Sequence, residues 1–257
     1  MSPYLPALAA SMAAAAVLAV IALSLGRQRR LLRQRVEHNA RELERLQRTF
    51  SRFAPAELVE RIVDKGMLVG GDRREATVMF ADLRGFTGMS ERLDPAVVIE
   101  MLNGYFSEMS VVIRSHHGHV TRIMGDGIMS VFGALEPNPW HVQDAVEAAL
   151  GMRTALDRYN EKLRARGLPQ LSFGIGIHSG TIVAGLVGSD ELLEFTVMGD
   201  VVNVASRVEA LTRQMGVDIL VTEQVHGRLN GRFRMRAMPP ASIRGKSIPV
   251  TTWHVQG

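Results

Sequence analysis

Apolar and polar positions fall into three successive patterns along the chain. From Leu5 to Leu25, 21 mostly apolar, alanine-rich positions carry no charged side chain, a span long enough to cross the hydrocarbon core of a bilayer. Arg27 to Ala54 contains neither Gly nor Pro, and apolar residues fall at Leu32, Val36, Leu43, Leu46, Phe50 and Phe53. With Asn39 filling the one gap, they step alternately by four and three, the spacing of a helical heptad seam over roughly three repeats. A single Asn in such a seam fixes register and favours two strands. Pro55 interrupts that helix, Ala56–Asp64 reads as a short second one, and Gly70-Gly71 turns the chain.

Beyond the turn, short apolar runs alternate with longer amphipathic stretches. Val78–Ala81 reads as a buried strand that ends at Asp82. A helix is expected over about Pro95–His116, a hairpin over about Val120–Phe132 and a second helix over about Val142–Arg166. A strand ending near His178 leads into a loop punctuated by Gly180, Gly185 and Gly188. A strand over Glu194–Met198 and a helix over Val201–Met215 follow, and strands near Ile219–Val221, Phe233–Ala237 and Thr251–Val255 finish the chain. This order predicts an α+β fold: a ferredoxin-like βαββαβ core, with a mixed sheet and helices on one face. One transmembrane helix and a coiled-coil-like helix precede it. The expected divisions are an anchor over 1–26, a basic juxtamembrane helix over 27–54, a connector over 55–74 and the main folded domain over 75–257.

Charge sharpens the picture. The net charge is +4, yet residues 27–52 hold nine Arg against three Glu and residues 1–26 hold no charge, which leaves the remainder slightly acidic. The basic character belongs to one short helix, and its arginines suit anionic lipid headgroups. A nucleic-acid partner would want that charge on the folded domain, so none is expected. A cleaved signal peptide would place Lys or Arg ahead of the apolar run. Here Arg27, Arg29, Arg30, Arg33 and Arg35 follow it instead. That asymmetry predicts a single-pass protein of the cell (inner) membrane with everything after Gly26 in the cytoplasm. The absence of cysteine excludes disulfides and thiolate metal sites.

Two acidic residues stand out. Asp82 ends an apolar strand, and Asp126 sits between Gly125 and Gly127 at the tip of the expected hairpin. Carboxylates on two strand ends, with glycine letting backbone approach a ligand, suit divalent cations that carry a polyphosphate. Taken singly, either Asp reads equally well as an ordinary turn residue.

Four stretches resemble the catalytic domain of class III nucleotide cyclases, the adenylyl and guanylyl cyclase family: Phe80-Ala81-Asp82-Leu83-Arg84-Gly85-Phe86-Thr87, Gly125-Asp126-Gly127, Gly174-Ile175-Gly176-Ile177-His178-Ser179-Gly180, and Gly199-Asp200-Val201-Val202-Asn203-Val204-Ala205-Ser206-Arg207. The likeness extends over roughly 75–255. It implies conversion of a nucleoside triphosphate to a 3′,5′-cyclic monophosphate and pyrophosphate with two divalent cations, Mg²⁺ or Mn²⁺. By resemblance, Asp82, Asp126 and the Leu83 carbonyl are the metal ligands, and the backbone N–H groups of Gly85, Phe86 and Thr87 cradle phosphate. Asn203 and Arg207 match the pair that orients the ribose and meets charge on the α-phosphate. Arg244-Gly245-Lys246 matches a basic phosphate-binding turn, either of whose cations could serve. The family's sites are shared across a homodimer, with the metal carboxylates from one chain and the base readers, Asn and Arg from its partner.

The base-reading positions depart from the common adenylyl pattern. The family's adenine-reading Lys falls at Arg122, and its partner falls at Thr196, an accepted adenylyl variant. A cation at 122 favours ATP over GTP as substrate, although Arg also pairs with guanine O6 and N7. The resulting expectation is a membrane-anchored adenylate cyclase. A guanylate cyclase, or a non-catalytic nucleotide-binding regulatory homologue, is the alternative.

Overall fold

The computed structural model describes residues 33–42, 45, 71–188, 193–245 and 248–257, the side chains of 193 and 194 excepted. The chain divides into two units, 1–59 and 60–257. In the first, residues 33–42 are helical, and Val36 and Asn39 of the heptad seam lie exposed on that helix. The rest of the seam and the Leu5–Leu25 span lie outside the described residues.

The second unit is built on an eight-stranded mixed sheet. In chain order its elements are β1 (Asp72–Leu83), α1 (Phe86–Ser90), α2 (Pro95–Ser115), β2 (Gly118–Met124), β3 (Gly127–Phe132), α3 (His141–Ala165), β4 (Phe173–Gly188), β5 (Leu193–Met198), α4 (Asp200–Met215), β6 (Ile219–Thr222), α5 (Glu223–His226), β7 (Met235–Ala237) and β8 (Thr252–Val255). The strands lie in the order β2-β3-β1-β4-β6-β8-β7, with β5 paired to β4. β1 is central and antiparallel to both neighbours, while β6 runs parallel to β4.

Alternation along β1 sends its residues to two different layers. Met79, Ala81 and Leu83 belong to the core beneath α2 and α3, whereas Ala76 and Val78 pack with Val201 and Ala205 of α4 on the other face. The βαββαβ core therefore carries its two helices on one face, as expected, and α4 is an addition on the opposite face. In α2, Pro95 occupies the first turn and the Asp94 carboxylate caps the Ala96 N–H at 2.8 Å. Met101, Tyr105, Met109 and Ile113 recur every fourth residue and are buried. α2 has the length and apolarity to cross a membrane, but this buried row makes it a core helix.

One expectation needs correction. The glycine-punctuated loop after His178 is instead strand, because β4 continues to Gly188. Gly180 and Thr181 pair with Ala76 and Glu75, and Val183 and Ala184 pair with Met198 and Val197. Small residues do not prevent extended pairing when neighbours supply the ladder, and the alternation of buried Ile182 and Ala184 with more exposed residues continues through it. β1 itself starts at Asp72.

Candidate active site

Asp82 is the penultimate residue of β1 and projects on the α4 side of the sheet. Asp126 stands in the turn between β2 and β3, where Gly125 adopts φ 63°. Ala81 pairs with Ile128, so the register carries the β2–β3 turn to the end of β1. Gly127 makes the approach possible: a Cβ there would stand 3.0 Å from Asp82 Oδ1. Burial first, then the charge of Asp126, pushes the Asp82 carboxyl above its ordinary range, with Arg213 opposing. A carboxyl whose ionisation is made costly by burial and by a neighbouring carboxylate, beside a glycine-cleared space, fits a divalent cation, whose charge reverses that cost. On the other side of the sheet, the Tyr105 hydroxyl is buried without a hydrogen-bond partner. Burial, then Asp82 and Asp126, pushes its pKa upward.

Leu83 closes β1 opposite Phe173, and the next residue is pinned twice. The Arg84 N–H donates to Ser172 O at 2.8 Å, and its guanidinium donates to Thr212 O and Val217 O at the C-terminal end of α4. Gly85 then takes a left-handed conformation (φ 67°, ψ 15°) as the N-cap of α1, which a side chain would resist. Phe86 is buried and anchors the turn, leaving Thr87 exposed.

Helix α4 carries the other matched residues. Asn203 is exposed and Arg207 half-buried; four apart, they share a face. Glu209, two residues on, projects to nearly the opposite side by helical geometry. Its Oε1 lies 2.8 Å from the point where a Cβ on Gly174 would stand. Arg207 instead reaches the turn after Ile243: a Cβ on Gly245 would lie 3.0 Å from its Nη1. Arg244 is exposed in that turn, and Lys246 lies outside the described residues.

Arg122 is exposed on β2 opposite Met129, and Thr196 is half-buried on β5 opposite Gly185. They belong to separate regions of the sheet, one on the β2 edge and one on the strand hung from β4. Exposed apolar side chains accompany both: Ile123 and Met124 beside Arg122, Met198 and Val187 near Thr196. The fold thus gathers Asp82, Leu83, Asp126 and the Gly85–Thr87 turn into one region. Arg207 lies in another, against the Gly245 turn that also carries Arg244.

Glu209 escaped the sequence reading. It is half-buried, and burial, then Asp82, pushes its carboxyl up to about 7, with Arg213 and Arg84 opposing and Asp126 adding. The available signal was an acid in the sheet-facing row of α4, beside Val208 and ahead of Thr212, at helical spacing.

A sequence profile of the adenylate and guanylate cyclase catalytic domain matches residues 71–257, and the chain belongs to that family. Curated relatives include "Adenylate cyclase 1" of Rhizobium meliloti, 35% identical over 81% of this chain and 32% of its own length. An adenylate cyclase of Anabaena cylindrica is 35% identical over 81% of this chain and 43% of its own length. The chain therefore spans less than half the length of these relatives. Among solved structures, the adenylyl cyclase CyaB from P. aeruginosa superposes with a TM-score of 0.69 at 28% identity, covering 74% of this chain and 97% of that one. The guanylyl cyclase Cya2 gives 0.67 at 36% identity, covering 74% and 95%. Identity alone does not separate the two nucleotides.

Proposed function

We propose that this chain is an adenylate cyclase, anchored in the membrane by its N-terminal helix and acting as a homodimer with its catalytic domain in the cytoplasm. It would convert ATP to 3′,5′-cyclic AMP and pyrophosphate for intracellular signalling. The observation that carries the reading is the Asp82–Asp126 pair, two carboxyls brought to one point beside the Gly85 turn. Two divalent cations, Mg²⁺ or Mn²⁺, held by Asp82, Asp126 and the Leu83 carbonyl, would lower the pKa of the ribose 3′-hydroxyl and neutralise charge on the triphosphate. The 3′-oxygen forms a bond to the α-phosphorus as the bond to pyrophosphate breaks, and the hydroxyl proton is lost.

This chain's own groups do the positioning. The amides of Gly85, Phe86 and Thr87 hold phosphate oxygens, as does the Arg244–Lys246 turn. Asn203 orients the ribose, and the planar guanidinium of Arg207 meets charge that builds on the α-phosphate. Arg122 donates to adenine N1 and Thr196 accepts from the N6 amino group. Arg207 and the metal carboxylates project from α4 and β1 towards different sides of one chain, which favours a site completed by a second copy. The exposed Ile123, Met124, Val187 and Met198 are apolar surface such a partner would cover. The heptad seam would raise the effective concentration of the two catalytic domains.

A guanylate cyclase is the second reading, favoured by the 36% identity to Cya2 and by the capacity of an arginine guanidinium at 122 to pair with guanine O6 and N7. The test is incubation of the purified full chain with ATP or GTP and Mn²⁺ or Mg²⁺, with the product identified. Cyclic AMP in clear excess supports the proposal. Predominant cyclic GMP would convert it to the second reading, and no product from either nucleotide would leave a binding homologue.

A further inference from the structure

The middle of α4 holds a carboxyl that the reaction above does not use. Gly174 stands directly opposite Asp82 across the β1–β4 pair. Residues so opposed project to the same face with β-carbons about 4.5–5.5 Å apart. Gly174 has no side chain, and Glu209 Oε1 comes within 2.8 Å of where its Cβ would be. Glu209 thus fills from the helix the place beside Asp82 that a strand residue would otherwise take. The charges acting on it are Asp82, Arg213, Arg84 and Asp126. Among the described residues its carboxyl makes no hydrogen bond or ion pair.

A second observation points at the same spot. Thr212, one turn along α4, is 1% exposed, and its Oγ1 has no hydrogen-bond partner. That oxygen overlaps the position a Gly174 Cβ would need, so it faces the same glycine-floored space as Glu209. Leaving a buried hydroxyl unpaired is costly, and leaving a part-buried carboxylate unpaired costs more. Packing alone calls for neither the hydroxyl nor the charge, since Val would fill the volume of Thr212 and Gln that of Glu209. Among the described residues no three acidic or histidine side chains form a group that could hold one ion directly, so Glu209 is taken to act at one remove from the ion.

We propose that Glu209 is a positioning residue of the cation site: a third carboxylate that acts on the ion held by Asp82 and Asp126 through water bound to that ion, with the Thr212 hydroxyl ordering the same water. The proposal rests on Asp82 and Asp126 being the cation ligands. Partners of this kind typically change metal affinity by about 10–100-fold when removed.

The test is a Mn²⁺ titration of the full chain followed by the electron paramagnetic resonance signal of free Mn²⁺, for wild type, Glu209→Gln, Thr212→Val and Asp82→Asn. Both α4 substitutions preserve shape, and thermal melts verify folding. Glu209→Gln should weaken Mn²⁺ binding about tenfold and shift the Mn²⁺ dependence of turnover to match, with most of kcat returning at saturating Mn²⁺. Thr212→Val should weaken binding in the same direction by a smaller factor and serves if Glu209→Gln does not fold. Wild-type affinity in the folded α4 variants, with Asp82→Asn impaired, would overturn this inference and leave the two-carboxylate reading standing. Wild-type affinity in Asp82→Asn would overturn both.

Discussion

At the scale of single residues, the two sides of β1 do different work. Gly127 is selected by the carboxyl it faces: a Cβ would press on Asp82 Oδ1 at 3.0 Å and on Met124 O at 3.3 Å. Gly127→Ala should therefore displace Asp82 by a few tenths of an ångström and lower cyclase kcat/KM on the order of tenfold or more, with little change in Tm. Unchanged kcat/KM would show that the Asp82 rotamer is not critical. Further down β1, Thr77 Oγ1 and His141 Nδ1 share a buried 2.8 Å hydrogen bond. Burial, then the charge of Arg228, holds His141 below its ordinary pKa of 6.5, with Glu75 and Asp144 opposing. The unfolded chain takes up a proton near 6.5, and the folded one resists until lower pH. Stability from this source is thus complete above that value and is lost as pH falls through the folded value. Urea midpoints at neutral pH and near pH 5.5 should fall further in wild type than in His141→Gln; equal falls would remove His141 as the cause.

At the scale of elements, the contact between α4 and β4 sets the geometry of the site, and it depends on Gly176. A Cβ there would come within 2.6 Å of the Ala205 carbonyl and of the Glu209 Cα, both backbone atoms that cannot swing aside. Gly176→Ala should cost about 1–3 kcal/mol as an overpacked contact, read as a lower urea midpoint. An unchanged midpoint would mean that α4 rides loosely on the sheet. The same contact explains what the sequence made legible and what it hid. The long helices α2 and α3, the Gly125-Asp126-Gly127 hairpin and the helix from Asp200 were visible, because each has a local signature: buried residues at helical spacing, an acid between glycines, an Asn–Arg pair. The second half of β4 was hidden, because its pairing with Asp72–Glu75 is non-local and glycine resembles a loop. Glu209 was hidden for a related reason. Its importance comes from facing Gly174, 35 residues earlier in the chain, and no spacing along α4 reveals that.

At the scale of the whole molecule, two claims remain to be tested. The uncharged span Leu5–Leu25 followed by five arginines within residues 27–35 predicts that salt and carbonate washes leave the full chain in the membrane pellet. Release by high salt alone would mean that the chain lies on the membrane surface.

The central claim is that Asp82 and Arg207 of different chains act on one phosphate. Asp82→Ala and Arg207→Ala chains should each be nearly inactive alone, with circular dichroism unchanged. Co-expressed with different tags and purified through both, they form a heterodimer with one intact site and one site lacking both residues. The account predicts recovered cyclase activity, up to about half that of the wild-type dimer by this symmetry argument. Activity that stays at the single-mutant level in a verified heterodimer would contradict it.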